Sequence, residues 1–187
     1  MVDARDNEAR LVELAMSGDF DSFAALYTRH LDTIYRYIYY RTGDVQDAED
    51  LTEQVFLKAW EALANYKPVG SQFINWLYRI SHNVVVDHHR RSRFVSPQPL
   101  EATSSLDPGP ETALDRMIHA EEAASLAKAI GRLTEEQQQV IILRFIEGLG
   151  HAEIARILEK SEVACRGIQH RALASLNQIL TSLQERG

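Results

Sequence analysis

Two stretches of the chain concentrate arginine among residues that can contact nucleic acid. Residues 79–93 carry four arginines against one aspartate, and residues 160–171 carry three basic residues against one glutamate. The first stretch mixes amides and aromatic rings into one predicted helix. That combination suits single-stranded DNA, because bases stack on rings while arginine holds phosphates. The second stretch follows a short amphipathic segment. These patterns indicate DNA contact at two separate places.

The second stretch has the layout of a helix-turn-helix. Residues 151–158 predict a short amphipathic helix in which the small Ala155 lets a second helix cross closely. Ser161 can cap that second helix, which turns Cys165 toward the core as a small hydrophobe. Basic side chains then occupy its outer face, where a recognition helix reads base edges: Arg166, His170 and Arg171. The spacing alone leaves an ordinary helical bundle with a charged, solvated face as an alternative.

Acidic side chains are predicted to cluster on one side of the helix between residues 44 and 66. Its apolar residues keep a three-four spacing, and polar side chains fill another face. These are Asp47, Asp50, Glu53 and Gln54. Clustered acids with no lysine before Lys58 favour docking of a basic protein partner, although a solvated face is the alternative.

The composition excludes several classes of protein. The 187 residues contain no apolar run near the roughly 18 residues of a membrane span and no signal-peptide pattern at the start, so a cytoplasmic protein without membrane insertion is expected. A single cysteine excludes an internal disulfide and a Cys-rich zinc site. His88 and His89 point about 100° apart on a helix, and no third ligand accompanies them, so we expect no metal. No catalytic triad or phosphate-binding loop is present, and neither an enzyme nor a cofactor is predicted.

The periodicity predicts an all-α protein of two small helical domains joined by a flexible Pro-rich linker, the second domain containing the helix-turn-helix. Four of the five prolines lie between residues 92 and 111. The predicted domains are 6–93 and 113–184, with the linker at 94–112. Helices are predicted at 6–16, 20–41, 45–65, 71–92, 111–130, 134–147, 151–158 and 162–183. Their predicted caps and exits are Asp19, Asp44, Thr134 with Gln137, Gly43 and Gly148.

Three motifs in the expected order carry a family resemblance. They are the acidic segment 47–60, the segment 75–91 that begins Asn-Trp-Leu-Tyr-Arg-Ile, and the segment from Leu133 through the helix-turn-helix. Together they resemble the extracytoplasmic function (ECF) group of bacterial RNA polymerase sigma factors, in the sigma-70 superfamily. The resemblance implies a non-enzymatic alternative sigma factor that binds core RNA polymerase, directs it to promoter DNA, and is often held inactive by an anti-sigma factor.

The resemblance also implies roles for individual residues. Polymerase would bind Asp47, Asp50, Glu53 and Gln54. The melted −10 element would lie on Tyr66, Lys67, Gly70, Ser71, Arg79, Asn83, Arg90 and Arg91. The −35 element would be read in the major groove by Ser161, Ala164, Arg166, His170 and Arg171. The alternative function is a polymerase-independent helix-turn-helix regulator, against which the acidic helix argues.

The sequence departs from the family pattern in the turn between the two helices of the helix-turn-helix. The family usually has glycine at the place of Glu159 and again at Val163, and an apolar residue at Lys160. A glutamate forced to positive φ would cost about 1 kcal/mol or more. The turn therefore either differs from the glycine type or leaves the helix-turn-helix weakly stable, and we predict that Glu159→Gly raises the melting temperature.

Overall fold

The computed structural model describes residues 4–67, 72–92 and 113–184. The regular structure within these ranges is helical, and it forms two helical domains, which confirms the predicted fold class. The predicted linker at 94–112 lies outside the described residues. The helices are α1 (Ala4–Met16), α2 (Phe20–Thr42), α3 (Val45–Ala62), α4 (Phe73–Ser92), α5 (Ala113–Ile130), α6 (Glu135–Ile141), α7 (His151–Leu158) and α8 (Glu162–Gln184).

Side-chain caps set several of the helix starts, as predicted. The Asp19 carboxylate accepts a hydrogen bond from the Ser22 N–H at 3.0 Å, and the Asp44 carboxylate accepts one from the Asp47 N–H at 2.9 Å. The exit of α2 is Gly43, whose φ of 72° lets the chain reverse without a Cβ clash. These local bonds fix where α2 and α3 begin, and so fix which residues of each face the core.

The front domain packs α1 to α4 around a fully buried apolar centre. Leu26 and Ile34 of α2 meet Val55 of α3 and Leu77 of α4 there. Phe73 is also buried at the start of α4, so its ring belongs to the core and not to a base-stacking surface. This packing fixes the angle between the acidic helix α3 and the basic helix α4.

The back domain packs α5 to α8 around a second group of buried residues. Ile154 of α7 and Cys165 of α8 have no exposed surface, and Ile168 follows one turn later. Burial raises the pKa of the Cys165 thiol, which keeps it protonated and unreactive. The predicted helix-turn-helix is therefore confirmed, with the cysteine as a packing residue.

The predicted helix 134–147 is interrupted. Residues Glu135–Ile141 are α-helical, and Ile142–Ile146 form a π-helical turn in which the Glu147 N–H bonds back to the Ile142 carbonyl at 3.0 Å. The wider turn keeps Ile142 in the core and ends at Gly148, whose φ is 71°. Similarly, α3 ends at Ala62 and continues as a 3-10 turn over Leu63–Asn65.

The two domains contact each other through defined elements. Helix α2 packs against α5 and the π-helical turn, and α4 packs against α7. No helix in the described ranges combines the length and the apolar character that a membrane crossing requires.

Replacing Glu159 by glycine is expected to stabilise the protein. Glu159 ends α7 in the left-handed region, with φ 54° and ψ 41°, so the turn is of the glycine type. Removing the Cβ there relieves about 1 kcal/mol of backbone strain. The exposed ion pair between Glu159 and Arg79, 3.7 Å apart, contributes less. The melting temperature should rise by about 2–4 °C in a chain of this size. Circular dichroism melts of Glu159→Gly and Glu159→Ala separate the relief of backbone strain from the loss of the carboxylate. Alanine removes the carboxylate but keeps a Cβ at positive φ. A lower melting temperature for the glycine variant would contradict this expectation.

Candidate protein-docking and nucleic-acid interfaces

Helix α3 presents an exposed face without intramolecular partners. Asp50, Glu53 and Gln54 are all exposed, and none has a hydrogen-bond or ion-pair partner within the described part of the chain. Leu57 continues the same face one turn later with 59% of its surface exposed. We call these four residues the acidic face. It offers two carboxylates and an amide around an exposed apolar side chain, which suits a basic, partly apolar protein surface.

Asp47 is arranged differently from the other predicted docking residues. Its Oδ2 lies 3.2 Å from Nε2 of His88 on α4, and its backbone N–H is used by the Asp44 cap. Asp47 therefore ties α3 to α4 while remaining only partly accessible to a partner.

Tyr66 lies in the core and not on the surface. It is 6% exposed, and its ring packs on Phe73 and Trp76 at centroid distances of 5.6 and 4.7 Å. Burial raises the pKa of its hydroxyl. Tyr66 thus anchors the chain after α3 and does not present its ring for stacking on a base. The adjacent Lys67 is exposed, whereas the predicted Gly70 and Ser71 lie outside the described residues.

Helix α4 carries a basic stripe. Arg79, Asn83 and Arg90 share one side, because they are separated by four and seven residues. Arg90 donates to Asp87 Oδ1 at 3.1 Å and Arg91 donates to the Asp87 carbonyl at 3.2 Å, yet both side chains are exposed. These arginines lie in the last turn of α4 and remain able to hold phosphates.

The N-terminal half of α8 has the features of a recognition helix. Ser161 Oγ accepts a hydrogen bond from the Ala164 N–H at 3.1 Å, which confirms the predicted cap and commits that hydroxyl to it. Arg166 is exposed and bonds Glu162 one turn earlier at 3.3 Å. His170 is exposed on the same side, whereas Arg171 is exposed about 100° further round.

Val163 is absent from the predicted DNA contacts, yet it lies on the same side of α8 as Arg166 and His170. It is 76% exposed in the first turn of the helix. An apolar side chain at the N-terminal end of a recognition helix can contact thymine methyl groups. The signal that could have found it is its position three residues before Arg166.

A buried polar contact joins the two domains. The Glu147 side chain is 3% exposed and receives two hydrogen bonds from Arg36, each 2.8 Å long. A third comes from the Tyr78 hydroxyl at 3.4 Å. Glu147 holds the pKa of the Arg36 guanidinium above its usual range. Because Arg36 and Glu147 are 111 residues apart in the sequence, helical periodicity could not predict that they form a pair.

Arg79 lies at the same boundary and contacts the end of α7. Its Nη2 donates to the Arg156 carbonyl at 2.9 Å, and its Nη1 lies 3.7 Å from the Glu159 carboxylate. A cavity of about 300 Å³ lies beside this contact and is lined by both domains. Its lining residues are Tyr37, Tyr78, Arg79, His82, Asn83, Gln139, Ile157, Leu158 and Glu159.

Acidification from pH 7.5 to 5.5 is expected to lower the melting temperature through His82. Burial first, and then the charge of Arg41 on α2, lower the pKa of this ring, while Glu135 on α6 opposes them. Gln139 of α6 contacts the ring as well. Because the unfolded chain binds the proton more readily, stability falls as the pH drops below the ordinary histidine value near 6.5. Thermal melts of wild type and His82→Gln between pH 7.5 and 5.5 test this expected fall in melting temperature. An equally steep pH dependence in both would contradict it.

Comparisons with known proteins identify both domains. Residues 26–95 match the family model of sigma-70 region 2, and residues 123–176 match that of sigma-70 region 4. The first match includes the acidic face and the basic stripe of α4. The second includes α7 and the predicted recognition helix.

Whole-chain relatives agree with these matches. The chain is 39% identical to the ECF RNA polymerase sigma factor BldN of Streptomyces coelicolor over 91% of its own length, and it spans 64% of BldN. It is 31% identical to the RNA polymerase sigma factor YlaC of Bacillus subtilis, covering 88% of this chain and 95% of YlaC. The solved structure of CnrH in complex with the cytosolic domain of CnrY is 26% identical, with a TM-score of 0.73 over 95% of this chain and 99% of that one. This chain therefore belongs to the ECF family of sigma-70 RNA polymerase sigma factors.

Proposed function

We propose that the protein is an alternative sigma factor, a non-enzymatic subunit that binds core RNA polymerase and directs it to specific promoters. The observation that carries the proposal is the acidic face, whose polar residues are exposed and have no partner among the described residues. A duplex-binding regulator has no use for an anionic face on the domain that also carries a basic DNA-contacting stripe, because the acids repel the phosphate backbone. A polymerase subunit uses both, one toward protein and one toward DNA.

In this proposal the acidic face docks on a basic helical surface of the polymerase. Asp50 and Glu53 supply the charge complementarity that steers association, while Leu57 supplies apolar contact at the centre of the interface. Gln54 adds donor and acceptor groups. Asp47 contributes through the position of α3, since its carboxylate already pairs with His88.

The −10 element is captured as a single strand along α4. Arg79, Arg90 and Arg91 hold phosphates, and Asn83 offers an amide on the same path. Lys67 adds a charge at the start of the loop, for which Gly70 and Ser71 stay predicted contacts. Tyr66 acts by positioning this loop, because its own ring is buried.

The −35 element is read as duplex DNA by α8. Arg166 and His170 face the major groove, and Arg171 reaches the backbone at its edge. Ala164 is small enough to allow close approach. Ser161 holds the helix start by capping it, which orients the N-terminal turn that enters the groove.

A regulatory protein partner is part of the same proposal. CnrH, a structural neighbour of this chain, was solved in complex with the cytosolic domain of CnrY. We infer that this protein is likewise held by an anti-sigma factor that covers its polymerase-contacting or DNA-contacting surfaces.

Promoter-selected run-off transcription tests the proposal. Core bacterial polymerase is incubated with fragmented genomic DNA, with and without the protein, and the 5′ ends of transcripts are mapped. New discrete start sites that share two upstream elements are expected. If the polymerase neither binds the protein nor gains start sites, while the protein alone footprints duplex DNA at physiological salt, the polymerase-independent regulator replaces the sigma factor.

A further inference from the structure

We propose that core polymerase also covers two aromatic rings beside the acidic face, those of Phe20 and Trp60, which form the apolar centre of the interface together with Leu57. We call Phe20 and Trp60 the aromatic edge. The inference rests on the proposed function, because the partner is the polymerase that docks on α3. It goes beyond that function by adding a contact from the start of α2, outside residues 26–95 that match sigma-70 region 2.

Phe20 presents a large apolar side chain to solvent in a fixed position. It is the first residue of α2, directly after the Asp19 cap, and it is 67% exposed. Its ring meets the Trp60 ring edge-on, with the centroids 5.9 Å apart and the planes at 82°. This edge-to-face contact orients the Phe20 ring without burying it.

Trp60 connects Phe20 to the acidic face. It follows Glu53 by seven residues and Leu57 by three, so it lies on the border of the acidic face that is turned toward α2. Its ring packs on the buried Phe23 ring at a centroid distance of 4.9 Å. Trp60 is half-buried, and no residue that the structure describes accepts a hydrogen bond from its indole N–H. A ring held by the core with a donor available at the surface is typical of protein interfaces.

Acidic side chains surround these apolar groups. Asp21 and Glu61 directly follow the two rings in the sequence, and Glu53 lies one turn before Leu57. All three carboxylates are exposed, and none pairs with a basic side chain in the described ranges. A twofold contact between two copies of the chain would bring these acids together, and DNA would bring phosphates, so like charges oppose both. The surface therefore suits a partner whose apolar groups are surrounded by basic side chains.

The acidic face by itself is small for a stable complex. Its four residues compare with roughly 20–30 residues on each side of a standard protein–protein interface. From Leu57, the interface could extend toward the start of α3, where the Asp47 carboxylate is already paired with His88 at 3.2 Å. It could also extend toward the aromatic edge, which offers exposed rings and unpaired acids. These are the components of an apolar interface centre and its polar rim, so the second direction is favoured.

The test measures binding of the whole chain and its variants to core polymerase. Phe20→Ala removes the exposed ring and keeps the Asp19 cap, whereas Phe20→Leu keeps an apolar side chain. We expect Phe20→Ala to raise the Kd about tenfold through faster dissociation, and Phe20→Leu to recover most of the affinity. Salt screens charges and not apolar contacts, so the salt dependence of the Kd should stay that of wild type. The Asp50→Arg/Glu53→Arg variant should instead associate more slowly and lose that salt dependence.

The matched control is Leu180→Ala, which removes a leucine that is 37% exposed on α8, in the other domain. It should bind core polymerase as wild type does. Sedimentation velocity of wild type and Phe20→Ala, at the concentrations of the binding experiment, tests a second copy as the occupant. Both should sediment as monomers. Thermal melts of the two should coincide closely, because the Phe20 ring is mostly in solvent.

The outcomes that would overturn the inference differ in what else they affect. If Phe20→Ala bound core polymerase as tightly as wild type, the aromatic edge would lie outside the interface, while docking by the acidic face would stand. A wild-type dimer that Phe20→Ala dissociates would assign the rings to a second copy and overturn the inference as well. If wild type bound no core polymerase, the proposed function would fail together with the inference.

Discussion

Reversing the charge of the acidic face, in an Asp50→Arg/Glu53→Arg variant, is expected to abolish promoter-specific transcription. Each substitution replaces an exposed, unpartnered carboxylate with a cation facing a basic surface, and like charges across an interface cost several kcal/mol. A loss of about 2.8 kcal/mol of binding free energy is enough to lower the affinity 100-fold. The fold should survive, because neither side chain takes part in packing or in a hydrogen bond within the described residues.

The measurement combines binding to core polymerase with run-off transcription. A control variant, Glu13→Arg/Glu121→Arg, makes the same change in net charge at two exposed acids outside the acidic face. It should bind core polymerase and direct transcription as wild type does. If the acidic-face variant directed transcription as well as wild type, α3 would not be the docking helix. The proposed sigma factor would then lose its main support.

Truncating Arg166 to alanine is expected to weaken recognition of the upstream promoter element by about 10- to 100-fold. Its guanidinium is exposed in the second turn of α8, and a bidentate contact to a base contributes about 1–3 kcal/mol of discrimination. The pair it makes with Glu162 spans one helical turn on the surface and adds little stability. Binding of core polymerase, which uses a different domain, should be unchanged.

Promoters with a mutated upstream element give the sharpest readout for Arg166. On these templates wild type and Arg166→Ala should initiate equally poorly, because the contact is already lost. Arg132→Ala removes an exposed arginine between α5 and α6 and is the matched control on the intact promoter. If Arg166→Ala kept full preference for the intact element, α8 would not be the reading helix.

The acidic net charge and the DNA-binding role are compatible because charge is segregated along the chain. Residues 1–61 hold 13 acidic against 6 basic residues, which accounts for the whole net charge of −7. The arginines of α4 and α8 therefore act on DNA from a protein that repels DNA at long range. Core polymerase would supply the remaining attraction, which makes promoter binding conditional on docking.

Local features of the protein could be predicted from the sequence by itself. Helix starts at Asp19 and Asp44 and the buried Cys165 depend on neighbours within a few residues or on helical periodicity. The exposed polar positions of the acidic face follow from the same periodicity. These properties can be predicted because helix capping and three-four apolar spacing both act between residues close in the sequence.

Only the tertiary structure determined which side chains from different helices contact each other. The Asp47 carboxylate pairs with His88, and the Tyr66 ring packs on Trp76 in the core. Glu147 accepts hydrogen bonds from Arg36, which is 111 residues away in the sequence. The π-helical turn that ends beside Glu147 also belongs to this group. Periodicity tells which face of a helix is apolar, but it does not tell which helix covers that face. The Arg36–Glu147 pair depends on that pairing, because the buried Glu147 carboxylate is stable only when its hydrogen-bond donors are in place.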